Sequence, residues 1–379
     1  MRTILSRFFA IIIALAIGSG IFFLLLKTGE RSKGPLENLF ILVHATIAHE
    51  EKSLIDIRDS RSHALNWLNK LRNNKVALNH TDKILLGAYD DHTVESYENI
   101  ISLEDSLKTK FPIISIYTAW GSKKDQKFPL LRAQAIYDLG SIPMITWEPW
   151  LNDFDQEKFP FNANAFNKNK GGLKAISEGK YDLYIDKWAS DAMQFGLPFI
   201  MRFGHEMNDP YRYPWGQQNN TPQEYIAAWR HIVNRFNALG AKNAVWLWSP
   251  HPSYSFESFY PGDDYVDWVG VTALNYGTAA TWSQWWSFDD IFDKAYKKLS
   301  SYQKPMILTE FGSLAVGGNR ADWFKNALSN LPKKYPKVKA VVFFHAASDN
   351  SITYKALDWS FEHDPMVLEA VKYSMNKWK

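Results

Sequence analysis

The sequence predicts an α/β fold: a (β/α)8 (TIM) barrel over residues 81–379, preceded by one N-terminal transmembrane helix over residues 1–27 and a helical stalk over residues 28–80. Three observations predict it. Eight short apolar runs recur from Lys83 onward, helical patterns separate most of them, and one uninterrupted apolar stretch precedes them all.

Composition bounds the chemistry before any motif is read. The 379 residues include no cysteine, which excludes disulfide scaffolds, zinc–cysteine sites, iron–sulfur clusters and thiol catalysis. Hydrophobic residues make up 46 % and charged residues 22 %, a balance that supports a packed core rather than long disorder. The 43 basic and 40 acidic side chains leave a net charge of +3, so there is no electrostatic footprint for a nucleic-acid partner. Aromatic residues reach 15 %, with 24 Phe, 18 Tyr and 16 Trp. A core or a binding cleft has to absorb them.

The first element is Phe8–Leu26 (FFAIIIALAIGSGIFFLLL), uncharged and mostly apolar. As a helix it is long enough to cross the roughly 30 Å hydrocarbon layer. A cleavable signal peptide would carry a shorter run, about 7–15 residues, ending at small side chains. This one ends Phe22-Phe23-Leu24-Leu25-Leu26, so an uncleaved signal-anchor over residues 8–26 is expected. Arg2 and Arg7 on one side and Lys27, Arg31 and Lys33 on the other are too evenly split to fix orientation by charge. The short leader before a large domain favours an extracytoplasmic domain, in the periplasm or at the cell surface.

The second element runs from Leu36 to Leu71. Positions spaced alternately by four and three are apolar along it, apart from Glu50 and Arg61. Such a seam is either an amphipathic helix lying on the following domain or a stalk that self-associates between chains.

The strands come next: Ile84–Tyr89, Ile113–Trp120, Ile142–Trp147, Pro198–Phe203, Ala244–Trp248, Val266–Leu274, Pro305–Thr309 and Val338–Phe344. Runs apolar at nearly every residue are buried on both faces, as parallel strands are. The intervening helices are well signalled. Thr221-Pro222-Gln223-Glu224 is a capping box with proline at the first helical position. Tyr225, Trp229, Ile232, Phe236 and Leu239 then share a face that stops at Gly240, as Tyr181, Tyr184, Ile185, Trp188, Ala192 and Phe195 do before Gly196. The fifth and sixth runs lie too close for a full helix between them. A doubly wound sheet is the rival fold, but its phosphate-binding turn is missing: the first run ends Gly87-Ala88-Tyr89-Asp90-Asp91.

In such a barrel the chemistry sits where strands end and βα loops begin. Those ends are Trp147-Glu148-Pro149-Trp150, Arg202-Phe203-Gly204-His205-Glu206-Met207-Asn208, Asn275-Tyr276, Thr309-Glu310-Phe311-Gly312 and His345. Glu206 and Glu310 end strands four and seven, which face each other across the ring. Two carboxylates flanking one bond are the minimal machinery of most glycosidases, and a retaining reaction needs them about 5–5.5 Å apart. His205-Glu206 lacks the second histidine of H-E-x-x-H, with Asp209 in its place, so no zinc site is expected. No G-x-S-x-G elbow is present, which disfavours an esterase. Trp147, Trp150, Trp215, Trp248, Trp282, Trp285 and Trp286 fall in or near the upper loops, where indole faces can stack on sugar rings.

At these residues the chain resembles glycoside hydrolase family 26. The resemblance rests on His205-Glu206-Met207-Asn208 with Tyr213-Pro214-Trp215-Gly216, on Thr309-Glu310-Phe311-Gly312, and on the run from Phe259 to Gly270 (FYPGDDYVDWVG). It implies a retaining, endo-acting, metal- and cofactor-independent hydrolase of a β-linked polysaccharide such as β-1,4-mannan or mixed-linkage β-1,3-1,4-glucan, with related xylanases in the family. It further implies Glu206 as acid/base, Glu310 as nucleophile, His205 in support, and Tyr276 bonded to the nucleophile. Asn208 and the tryptophans are then expected to bind substrate. Arg202, His205 and Tyr276 are expected to keep Glu310 ionised, and the Glu310 charge to keep Glu206 protonated.

The chain departs from the family pattern at Asp209, where glycine is usual, at Thr272–Tyr276, and at His345, where a tryptophan under the reacting sugar is expected. These departures motivate an alternative, a non-catalytic membrane-anchored glycan-binding barrel, which the intact glutamate pair argues against.

Overall fold

Unbroken apolar runs become parallel strands because neither of their faces meets water. The computed structural model describes residues 18–21, 61–93, 96–155, 169–350 and 356–378. It contains β1 (Leu85–Tyr89), β2 (Ile113–Ala119), β3 (Ile142–Glu148), β4 (Phe199–Phe203), β5 (Ala244–Trp248), β6 (Trp268–Asn275), β7 (Met306–Ser313) and β8 (Val338–Phe344). Each pairs with the next in parallel, and β1 pairs with β8 to close the barrel.

Helices return the chain between strands as expected. The capping box of Pro222–Ala238 forms: the Thr221 hydroxyl accepts from the Glu224 amide at 3.2 Å, and Glu224 accepts from the Thr221 amide at 2.7 Å. Tyr225, Trp229, Ile232 and Phe236 are buried beneath it. Between β5 and β6 the described chain makes only the short turns Glu257–Phe259 and Asp263–Tyr265, in keeping with the expected shortage of residues there.

Strand parity decides what each residue meets. Met144, Ile200, Val245, Leu247, Ile307 and Val342 fill the lower lumen, so Glu148 and Arg202, of the same parity, face the lumen near its upper end. β7 carries an irregularity at the functional level. Val271 of β6 faces Leu308, yet the next residue, Thr272, faces Glu310 and skips Thr309. On the other side Leu308 faces Val341 while Phe311 faces Phe343. One extra residue in β7 therefore sets the direction of the Glu310 side chain.

The N-terminal expectations divide. The chain forms two units, Met1–Arg58 and Asp59–Lys379. Apart from residues 18–21, a helical turn, the run Phe8–Leu26 lies outside the described residues, as does the seam from Leu36 to Ser60. Among the described residues, no helix is long and apolar enough to cross a membrane. From Arg61 the seam is not one continuous helix. It breaks into Arg61–Ala64, a 3-10 turn at Asn66–Leu68, and Asn69–Arg72.

The break has a reason: these residues close the lower end of the barrel. Leu68 and Leu78 join Leu85, Ile113, Ile142 and Trp268 in one buried cluster. Arg61, which interrupts the seam, is fully buried and grips Glu104 through two bonds of 2.6 and 2.9 Å. Residues 61–80, expected in the stalk, thus pack with the barrel.

Candidate functional site

Glu310 and Glu206 stand at the upper end of the barrel and share four neighbours, Arg202, Arg212, Tyr213 and Tyr276, on each of which both carboxylates act electrostatically. Glu310 is fixed through one oxygen. Its Oε1 accepts from Arg202 Nη1 at 2.6 Å and from the Tyr117 hydroxyl at 2.7 Å. Arg202 is buried on β4 and held by Ser249 Oγ at 3.2 Å and Thr272 Oγ1 at 3.3 Å, so its guanidinium has a fixed aim. Burial and the Glu310 charge both push the Tyr117 hydroxyl well above its ordinary pKa, which keeps it a neutral donor.

Glu206 stands just beyond β4 in a left-handed conformation, φ +53°, that non-glycine residues seldom adopt. Its amide donates to Ser249 O at 2.8 Å and its carbonyl accepts from Asp209 N at 2.9 Å, which holds the bend. The carboxyl is 1 % exposed; Oε2 accepts from Arg212 Nη1 at 3.2 Å, and Oε1 has no protein partner. Burial alone would push it up, but His251, Arg212 and Arg202 hold it below the usual glutamate range. The expected protonated Glu206 is therefore corrected for the unliganded cleft: the positive neighbours, His251 first and then the arginines, outweigh burial.

The supporting residues arrange as follows. His205 is buried and its pKa is pushed well down by burial and by Arg202, so its imidazole is neutral; Nε2 meets the Tyr213 hydroxyl at 3.1 Å. Its carbonyl accepts from Trp215 Nε1 at 2.7 Å, and Tyr213 stacks on Trp215 at 4.6 Å. Tyr276 lines the pocket edge against Trp359 at 4.9 Å and Trp282 at 5.8 Å. The tyrosine bonded to Glu310 is Tyr117 rather than the expected Tyr276.

Several expected sugar contacts are instead structural. Asn208 is fully buried and pins the loop after β5, donating to His251 O at 2.9 Å and Tyr254 O at 3.2 Å while accepting from His251 N at 2.7 Å. Trp147 and Trp248 have outward parity. The first stacks on Trp188 at 4.3 Å, and the second packs among Phe256, Tyr260 and Tyr302. Trp215 is buried under Tyr213.

Trp150, Trp285, Trp282 and Trp286 keep some exposure, Trp282 most at 51 %. His345 binds the ends of β8 and β1 together, 3.5 Å from Asp90 and accepting from Phe361 N at 3.3 Å.

Tyr117, Arg212, Ser249, His251 and Glu148 were not singled out from sequence. Parity was the available signal for Tyr117 and Glu148, which share the lumen-facing alternation of their strands. Glu148 accepts from Trp150 Nε1 at 3.1 Å, and burial pushes its pKa up to about 7. As for cations, ligand atoms of Glu206, Asp209 and His251 lie within 4.8 Å of one another, as do those of Asp90, Asp91 and His92. At the first group Arg212 already supplies positive charge.

The arrangement offers a clamped carboxylate, a second carboxyl among the same neighbours, and an aromatic margin. Solved structures with the same architecture include a family 26 beta-mannanase from Bacteroides ovatus (TM-score 0.57, 18 % identity, 84 % of this chain and 94 % of that one). Another is a family 26 protein from Muricauda sp. (TM-score 0.58, 20 % identity, 84 % and 90 %).

In sequence the chain is 35 % identical to endoglucanase H of Acetivibrio thermocellus over 305 residues, 78 % of this chain and 30 % of that protein. It is 29 % identical to a mannan endo-1,4-beta-mannosidase of Bacillus subtilis over 164 residues, 41 % of this chain and 40 % of that protein. The chain thus spans less than half the length of these relatives. The sequence model of glycosyl hydrolase family 26 matches residues 59–312, from the Arg61 closure to the Glu310 strand end, and the chain belongs to that family.

Proposed function

We propose that the protein is a retaining, endo-acting glycoside hydrolase that cleaves a β-linked polysaccharide by double displacement. The observation that carries this reading is the asymmetry of the pair. Arg202 and Tyr117 both hold Glu310 Oε1, which leaves Oε2 as the attacking oxygen. In the first step Oε2 forms a bond to the anomeric carbon, the glycosidic C–O bond breaks, and Glu206 delivers a proton to the departing oxygen. In the second, Glu206 takes a proton from water, the water oxygen bonds to the anomeric carbon, and Glu310 departs as a carboxylate. Arg202 and Tyr117 stabilise the charge that returns to Glu310. His205 and Tyr213 buttress the Glu206 bend, while Trp150, Trp282, Trp285 and Trp286 are the expected indoles that keep some exposure for sugar.

A β-glucan is the favoured substrate over mannan, because the relative matched over 78 % of the chain is an endoglucanase while the mannanase is matched over 41 %. Reducing-end release from mixed-linkage glucan, β-mannan and xylan tests this, with glucan expected to give the fastest rate. Glu206→Ala and Glu310→Ala should each lower polysaccharide turnover on the order of 10⁴-fold. Near-normal turnover in either variant, or an inverted first product by NMR, would sink the assignment.

The apolar run Phe8–Leu26 supports tethering of the barrel to a membrane with the cleft on the extracytoplasmic side. Resistance of the full chain to extraction by high salt, and release by detergent, is the expected behaviour.

A further inference from the structure

We infer that Arg212 is a positioning residue that keeps Glu206 ionised in the unliganded cleft and releases it when a sugar enters on the leaving-group side. The inference rests on the acid/base reading of Glu206 and adds a control on it. Its basis is geometric. Arg212 Nη1 lies 3.2 Å from Glu206 Oε2, and the guanidinium sits 5.1 Å from the centroid of the Tyr213 ring. Glu206 is sealed at 1 % exposure, whereas the Arg212 side chain retains 24 % and can swing.

The arginine lies on the loop from Asp209 to Tyr213. Its neighbour Tyr211 is 79 % exposed and stands 6.3 Å from Tyr254 of the loop after β5. A general acid faces the departing sugar, so a saccharide there meets Tyr211, Tyr254 and Arg212 before it meets Glu206. Stacking on that tyrosine pair moves the loop that carries Arg212, and Glu206 then takes up a proton from solvent for the first step. After the glycosyl-enzyme forms and the leaving sugar departs, the returning arginine favours the carboxylate that the water step needs.

Other charged and titratable groups also face Glu206. From β4 and its loop come Arg202, His205, Asp209 and Tyr213. Arg202 is committed to Glu310 and His205 is neutral. From the loop after β5 come His251 and Tyr254, from the end of β6 Tyr276, and from β7 Glu310. The tyrosines are neutral, and Glu310 and Asp209 oppose a negative Glu206. His251 shares in holding Glu206 down, and of the two arginines, charged at every working pH, Arg212 is the one bonded to it.

The test uses the full chain and whichever polysaccharide the substrate panel identifies, with the 2,4-dinitrophenyl β-glycoside of the same sugar. Dinitrophenolate leaves without a proton, so its release bypasses the acid. The alkaline limb of kcat/KM for polysaccharide reports Glu206 in the free enzyme. In Arg212→Met that limb should move up by about one pH unit, a tenfold gain in the protonated fraction above it. In Arg212→Lys it should stay within about half a unit, and with the dinitrophenyl glycoside, which needs no acid, kcat/KM should show no such alkaline limb in either variant.

An unmoved limb in Arg212→Met, or an equal move in Arg212→Lys, overturns the inference. Glu206→Ala separates the two readings: a retained dinitrophenol burst followed by slow turnover supports the acid/base role, and its loss together with the burst refutes that role. A retained burst there with an unmoved Arg212→Met limb refutes the arginine control alone.

Discussion

Glu148 carries a measurable consequence of lumen-facing parity. A carboxyl whose folded pKa is raised to about 7 contributes its stabilisation below the ordinary glutamate value and loses it as pH rises through 7. Replacing it by glutamine removes that loss. Glu148→Gln should therefore raise the urea midpoint at pH 8 by the equivalent of about 1–2 kcal/mol and leave it nearly unchanged at pH 5, the full shift being reduced because the side chain reaches water. A gain at pH 5 of equal size would contradict the ionisation account.

The same parity explains what was legible at residue level. Glu206 and Glu310 were readable because a carboxylate at the end of an apolar run has few structural excuses. Trp147 and Trp248 were misread because strands buried on both faces hide which side an indole takes. Tyr117 looked like core, and Arg212 lies in a loop whose path no periodicity encodes.

At the scale of elements, the placement of Glu310 depends on how closely β6 and β7 approach. A Cβ built on Gly270 would lie 2.7 Å from both the carbonyl oxygen and Cγ2 of Ile307 and 2.9 Å from Thr309 Cγ2. Backbone has to move to admit it. Gly270→Ala should destabilise the barrel by about 1–3 kcal/mol, and because β7 shifts at Thr309, activity should fall by more than stability alone accounts for. Thermal unfolding beside kcat/KM checks this; a folded variant with normal kcat/KM would show that the spacing is not functional.

Strands and helices were legible because their periods are written in apolar positions. The seam through Arg61 misled because a heptad reports only which residues share a face, and the partner for Leu68 is the bottom of the barrel.

At the scale of the molecule, the folding unit begins near Asp59. A chain of residues 59–379 should fold and keep its hydrolytic rate, whereas residues 81–379 should not. The shorter chain takes the Arg61 guanidinium from buried Glu104, which keeps only the Phe111 amide and the more distant Lys110, and it removes Leu68 and Leu78, each worth about 2–5 kcal/mol. Those losses match the whole stability of an ordinary domain, about 5–15 kcal/mol. Soluble yield and near-ultraviolet circular dichroism of the two chains would decide it; a folded 81–379 chain would show that the lower closure is dispensable.

The aromatic surplus also resolves at this scale. Much of it forms a continuous shell between strands and helices, as with Trp120, Trp147, Trp188 and Phe203.

The left-handed backbone at Glu206 has a cost. Holding a side chain at φ +53° costs about 1 kcal/mol or more, and a glycine would adopt that bend freely. On the backbone alone the bend would relax if the acid were lost to glycine, so the local conformation works against the residue that the chemistry needs there, and the Arg212 bond and the backbone bonds to Ser249 and Asp209 are what hold it in place.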